Sequence, residues 1–144
     1  MKSISAVLLD VNLMIALAWP THVAHERSLR WFERRGGEAW ATCPLTQLAF
    51  VRILSNPAFS PDALSVAEAA QMLGDSTADP AHVFWADDLN LNEAIALAAE
   101  SLQGHKQLTD AYLIGLARNR KGRLATLDKA VAGWARDREW VEIV

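Results

Sequence analysis

Residues 6–17 read Ala6-Val7-Leu8-Leu9-Asp10-Val11-Asn12-Leu13-Met14-Ile15-Ala16-Leu17, and the order of apolar and polar positions here decides the fold. With Ile4, the run to Leu9 is almost continuously apolar and stops at a carboxylate, the pattern of a short strand covered on both faces. Apolar residues resume from Leu13 to Leu17, with Asn12 where an amide caps a helix. Asp10 stands at the joint. A buried carboxylate without partners costs several kcal/mol, so Asp10 must be hydrogen-bonded, set against a helix N-terminus or neutralised by a cation.

Outward from this stretch the same alternation repeats. Helical patterns cover Val23 to Arg35, where Val23, Leu29, Trp31 and Phe32 stand among charges and Gly36-Gly37 is the stop. They cover Leu45 to Leu54 after Pro44, with Leu45, Leu48, Phe50 and Val51 spaced for packing, and Ser65 to Leu73, with Ser65 and Glu68 as a capping box. A helix capped by Asn90 or Asn92 runs to Leu102, another spans Thr109 to Arg120 and stops at Gly122, and a short one spans Lys129 to Arg136. Between them, Glu38 to Thr42, His82 to Ala86, Leu124 to Thr126 and Trp140 to Val144 read as strands. Strands alternating with helices imply an α/β fold around a mostly parallel sheet, and residues 1–144 fit one domain.

Composition narrows the class further. A net charge of −3 excludes the broad attraction to nucleic acid that a strongly basic chain shows, though not a nucleic acid held at a local site. Cys43 is the only cysteine, so no intrachain disulfide framework exists and a reducing, cytoplasmic setting is expected. No stretch approaches the roughly 20 apolar residues that cross a bilayer, so no membrane role is expected.

In parallel α/β sheets, ligands bind off the carboxyl ends of the strands. Asp10 follows the first strand, Asp128 follows Leu124-Ala125-Thr126 after one leucine, and Asp110 opens the helix from Thr109. Each is also near a predicted helix start, where a carboxylate is stabilised by the helix dipole, so capping explains any one of them. Three converging carboxylates repel and raise each other's pKa unless a cation lies between them. Such hard oxygen ligands suit Mg²⁺ or Mn²⁺, which can activate water and stabilise charge on phosphoryl oxygens, so phosphodiester hydrolysis is the natural reaction. Asn12 and Thr126 then orient Asp10 and Asp128, although Asn12 could equally cap its helix.

The segments LLDVNLMIAL, CPLTQLAFVRIL, HKQLTDAYLIGLA and GRLATLDKAV, in this order over nearly the whole chain, resemble the PIN domain and in particular the VapC toxins of bacterial toxin–antitoxin pairs. The resemblance implies a PIN-like, Rossmann-like three-layer sandwich and a Mg²⁺- or Mn²⁺-dependent endoribonuclease acting as a toxin. It also implies an RNA substrate, homodimerisation and inhibition by a VapB-type antitoxin. Asp10, Asp110 and Asp128 match its acidic metal-site positions, and Asn12 and Thr126 its supporting polar ones. Where many members carry a Thr-Glu pair, this chain has Thr46-Gln47. An amide accepts hydrogen bonds or ligates through its carbonyl oxygen but adds no charge, so one ion is expected rather than two.

The substitution keeps open an alternative, a catalytically weakened PIN-like domain that binds RNA or protein. A phosphotransfer or phosphatase domain is disfavoured, because Asp10-Val11-Asn12 lacks the second aspartate of an Asp-x-Asp pair and no phosphate-cradling glycine loop is present. The basic run Arg118, Arg120, Lys121 and Arg123 lies between a helix end and a strand start, hence at the sheet edge opposite the carboxylates, and Arg34 and Arg35 likewise follow a helix-end logic. Lys129, Arg52, His105 and Lys106 are the cations expected on the carboxylate edge, as phosphate contacts or merely solvated side chains. His22 and His25 share a helical spacing but lack further zinc ligands, and the six Trp residues are expected in the core or a partner surface.

Overall fold

A computed structural model of the chain describes residues 5–99, 104–135 and 138–144. Strands β1 (Ala6–Leu9), β2 (Ala39–Thr42), β3 (His82–Phe84), β4 (Arg123–Thr126) and β5 (Val141–Ile143) form one sheet in the order β3-β2-β1-β4-β5. Every pairing is parallel, and parallel neighbours need crossovers. These are helical: α1 (Val11–Ala18), α2 (His25–Arg34), α3 (Pro44–Leu54), α4 (Val66–Thr77), α5 (Leu91–Ala98) and α6 (Leu108–Asn119).

The apolar run of β1 is explained by its cover. Val7 and Leu9 turn with Trp40 and Ala125 toward Leu13, Ile15, Trp31, Phe50 and Leu54 of α1 to α3. Ala6 and Leu8 turn with Ala41 and Leu124 toward Ala94, Ala98, Ala111, Leu113 and Leu116 of α5 and α6. The result is a three-layer α/β sandwich, and each fully buried aliphatic side chain stabilises it by about 1.5–3 kcal/mol. Helices α5 and α6 touch backbone to backbone: a Cβ on Gly115 would stand 2.3 Å from the Ala94 carbonyl oxygen. Gly115 is therefore required by proximity.

Several sequence expectations change in three dimensions. Asn12 does not cap α1, because Asp10 does, accepting from Val11 N. The stop of α6 is a Schellman turn in which Lys121, not Gly122, takes the left-handed conformation (φ 58°), while Gly122 N donates to the Ala117 carbonyl. Residues Lys129–Gly133 form a 3₁₀ segment in place of an α-helix. Leu45, Leu48 and Val23, read as packing residues, are exposed. Ile4, residues 100–102 and Arg136, which the sequence reading included in a strand and two helices, lie outside the described residues. Among the described residues no helix is long and apolar enough to cross a membrane.

Candidate active site

The chain leaves β1 toward β2 on one side and returns to β4 on the other, so the strand order switches direction between β1 and β4. A crevice opens at such a switch beyond the carboxyl ends of the strands. Asp10 and Asp128 stand there, and α6, which runs back to the start of β4, presents Asp110 in its first turn at the same edge.

Asp10 is only 4% exposed, and its carboxylate is firmly held. Oδ1 accepts from Val11 N at 2.8 Å and Oδ2 accepts from Thr126 Oγ1 at 2.7 Å. Thr126, fully buried at the last position of β4, uses its whole hydrogen-bonding capacity on this arrangement. Its one hydroxyl proton goes to Asp10, and its oxygen accepts from Asp128 N at 3.1 Å and Asn12 Nδ2 at 3.3 Å. Asn12 Oδ1 accepts from Leu127 N at 3.2 Å, which ties the start of α1 to the segment after β4. Asn12 and Thr126 thus form a bracket between Asp10 and the backbone of Asp128.

The carboxylates are not equivalent. Asp10 and Asp110 lie close enough to affect each other's protonation, and both lie in the field of Asp128. Burial raises the Asp10 pKa, opposed by the bonds from Thr126 and Val11. Asp110 lacks such donors: burial, then the charges of Asp10 and Asp128, push it up to about 7. Of the two, Asp110 is the carboxyl more disposed to keep a proton near neutrality. Asp128 is exposed at the rim and accepts from Ala130 N at 3.0 Å, capping the 3₁₀ segment.

Among the described residues no group of three or more His, Cys, Asp or Glu side chains is gathered tightly enough to hold a metal as it stands. The chemistry of the donors nevertheless fits a hard divalent cation, because a buried Asp10 whose charge raises the pKa of the half-buried Asp110 beside it is an arrangement such a cation neutralises.

Thr46 and Gln47 sit in the first turn of α3, which begins at the carboxyl end of β2. Thr46 is buried and spends its hydroxyl on Cys43, accepting from its N and donating to its carbonyl, so it serves the helix start and not the carboxylates. Gln47 is half-buried and donates through Nε2 to Thr42 Oγ1 at 3.0 Å. Thr42 in turn lies 2.7 Å from His82 Nε2. Sequence reasoning missed Thr42 and His82; the available signal was that Thr42 closes its buried strand just as Thr126 closes β4.

The basic run is engaged elsewhere. Arg118 donates to the Leu97 carbonyl and stacks 3.8 Å from the Trp140 ring, and Arg120 pairs with Asp88 at 3.0 Å. Arg52, expected on the carboxylate edge, is in the last turn of α3 and so points toward the opposite edge. His105 and Lys106, just before α6, and Lys129, beside Asp128, are exposed on the carboxylate edge. His25 Nδ1 contacts the Ala16 carbonyl and His22 Nδ1 accepts from Ala24 N, so both stabilise the α1–α2 connection. Trp31, Trp40 and Trp85 are core residues.

This fold, with a carboxylate cluster at its switch point, is an α/β domain of a recognisable kind. Residues 7–136 match the PIN domain family, and the chain belongs to it. It is 42% identical over 132 residues to Ribonuclease VapC38 of Mycobacterium tuberculosis (strain ATCC 25618 / H37Rv), a match that covers 91% of each chain. It is 41% identical over 125 residues to Ribonuclease VapC39 of M. tuberculosis (strain CDC 1551 / Oshkosh), covering 87% of this chain and 90% of that one. Ribonuclease VapC44 of the same strain is 38% identical over 125 residues, 87% of each chain.

Proposed function

We propose that the chain is a divalent-metal-dependent endoribonuclease, the toxin of a toxin–antitoxin pair, with residues 1–144 as one domain working in the cytoplasm. A VapB-type antitoxin and a second copy of the chain are its protein partners in this reading. The observation that carries it is the meeting of Asp10, Asp110 and Asp128 at the switch point of the sheet, backed by relatives that bear the name Ribonuclease VapC.

Asp10, Asp110 and Asp128 would hold Mg²⁺ or Mn²⁺, which when bound supplies an activated water and stabilises charge on the phosphodiester. The residues do the rest. Thr126 and Val11 N fix both oxygens of Asp10, so its carboxylate is presented in one orientation without reorganisation. Asp110, whose pKa is raised to about 7, would be deprotonated when it held such a cation. Asp128 and its neighbour Lys129 are both exposed at this edge, open to a phosphodiester. Gln47 adds a neutral amide in place of a further carboxylate, which favours one ion over two.

The test is cleavage of labelled cellular RNA by the purified chain with Mg²⁺ or Mn²⁺, against EDTA and against Asp10→Asn prepared identically. Discrete products that require both the metal and Asp10 are expected. RNA binding that survives EDTA, with no product under any divalent ion, would favour the silent binding module instead.

A further inference from the structure

Gln47 ends a chain of hydrogen bonds whose direction is set at its far end. His82 contacts Thr42 Oγ1 through Nε2 at 2.7 Å, and its ring also faces the Thr77 backbone. A backbone carbonyl only accepts, so the ring nitrogen facing Thr77 carries a proton. Burial keeps the ring neutral, lowering its pKa despite Asp79 nearby, and Nε2 is then an acceptor. Asp79 is itself engaged by Trp40 Nε1 at 2.9 Å and by Arg35 at 3.8 Å, while the Trp40 ring packs 4.7 Å from the imidazole.

Thr42 has one hydroxyl proton, and His82 takes it. Thr42 is fully buried, so no bulk water can supply another. Only lone pairs remain on its oxygen for residue 47, and Gln47 Nε2 donates into one of them at 3.0 Å. A glutamate at 47 would set acceptor against acceptor.

We propose that Thr42 and His82 are positioning residues that demand a hydrogen-bond donor at position 47. They thereby select glutamine over glutamate and turn its carbonyl oxygen outward as the acceptor offered at the carboxyl edge. The effect on cleavage rests on the functional reading above, whereas the direction of the hydrogen-bond chain does not.

Two measurements test it. Nitrogen-15 NMR of the histidines in the metal-free wild-type chain is expected to show His82 with its proton on Nδ1; a proton on Nε2 in the neutral ring would overturn the proposal. In Gln47→Glu, the carboxylate can be satisfied only if His82 Nε2 becomes a donor, so the measured His82 pKa should rise by about one unit or more, and this rise should vanish when Thr42→Val is added. RNA cleavage by Gln47→Glu should fall about 10- to 100-fold and largely recover with His82→Gln, whose amide can donate to Thr42. Gln47→Glu cutting as fast as wild type with His82 intact would sink the idea. If wild type itself does not cut RNA, the functional reading fails and the tautomer alone decides the proposal.

Discussion

The two edges of the sheet treat charge in opposite ways. At the amino edge Arg123 donates to both oxygens of Glu38 at 2.7 and 2.9 Å and to Glu142 at 2.8 Å, and Glu142 also accepts from Trp31 Nε1 at 2.7 Å. At the carboxyl edge Asp10, Asp110 and Asp128 face one another, with no Arg or Lys ion pair to any of them among the described residues. The pKa values follow: Glu38 is held below the usual carboxylate range by Arg123, whereas Asp110 is pushed up to about 7. The same chain that neutralises carboxylates at one edge leaves them unmatched at the other. The unmatched edge costs stability, which is what a site awaiting a cation would show.

The largest break in that contrast is Asp10→Asn. It should lower RNA cleavage by about two to three orders of magnitude while leaving the fold intact by circular dichroism, because the loss of a repulsive charge offsets the one acceptor oxygen that the amide lacks. Next is Thr126→Val, which strands a buried carboxylate oxygen. A loss of about 10- to 100-fold in cleavage, together with about 1–3 kcal/mol in urea unfolding, is the expected result.

A smaller effect sharpens the comparison through pH. Asp110 has a folded pKa near 7 and an unfolded one near 4, so between these values the native state holds more protons and stability falls as pH rises. After allowance for solvent screening the fall is on the order of 1–2 kcal/mol. Asp110→Asn should flatten this dependence in thermal melts, and Mg²⁺ should raise the wild-type melting temperature more at pH 8 than at pH 5. Smallest is the matched edge: Arg123→Met, at a partly exposed network, should cost about 1 kcal/mol and leave the cleavage rate untouched.

Much of this arrangement is legible in the sequence because it is local. The unbroken apolar run of β1, the Ser65–Glu68 capping box and Pro44 at the start of α3 each follow from near neighbours, and parallel topology then carries Asp10, Asp110 and Asp128 to one edge. What escapes the sequence depends on who claims a group first. Asn12 looks like a cap, but Asp10 takes that place and frees Asn12 to reach residue 127. Thr46 looks like a site residue, but the cap of its own helix consumes it. Thr42 and His82 lie 40 residues apart and meet only once β2 and β3 have paired.

The bond from Thr126 to Asp10 joins residues 116 positions apart, and this has a bearing on synthesis. Chains emerge from the ribosome N-terminus first, and contacts between distant residues form late. While β4 is still inside the exit tunnel, Asp10 has neither its threonine donor nor the backbone of Ala125 that receives its own amide. The carboxylate cluster therefore cannot form before β4 has emerged. Residues through Thr126 must leave the tunnel before the site is assembled, so a nascent chain carries no complete carboxylate cluster until β4 has been delivered.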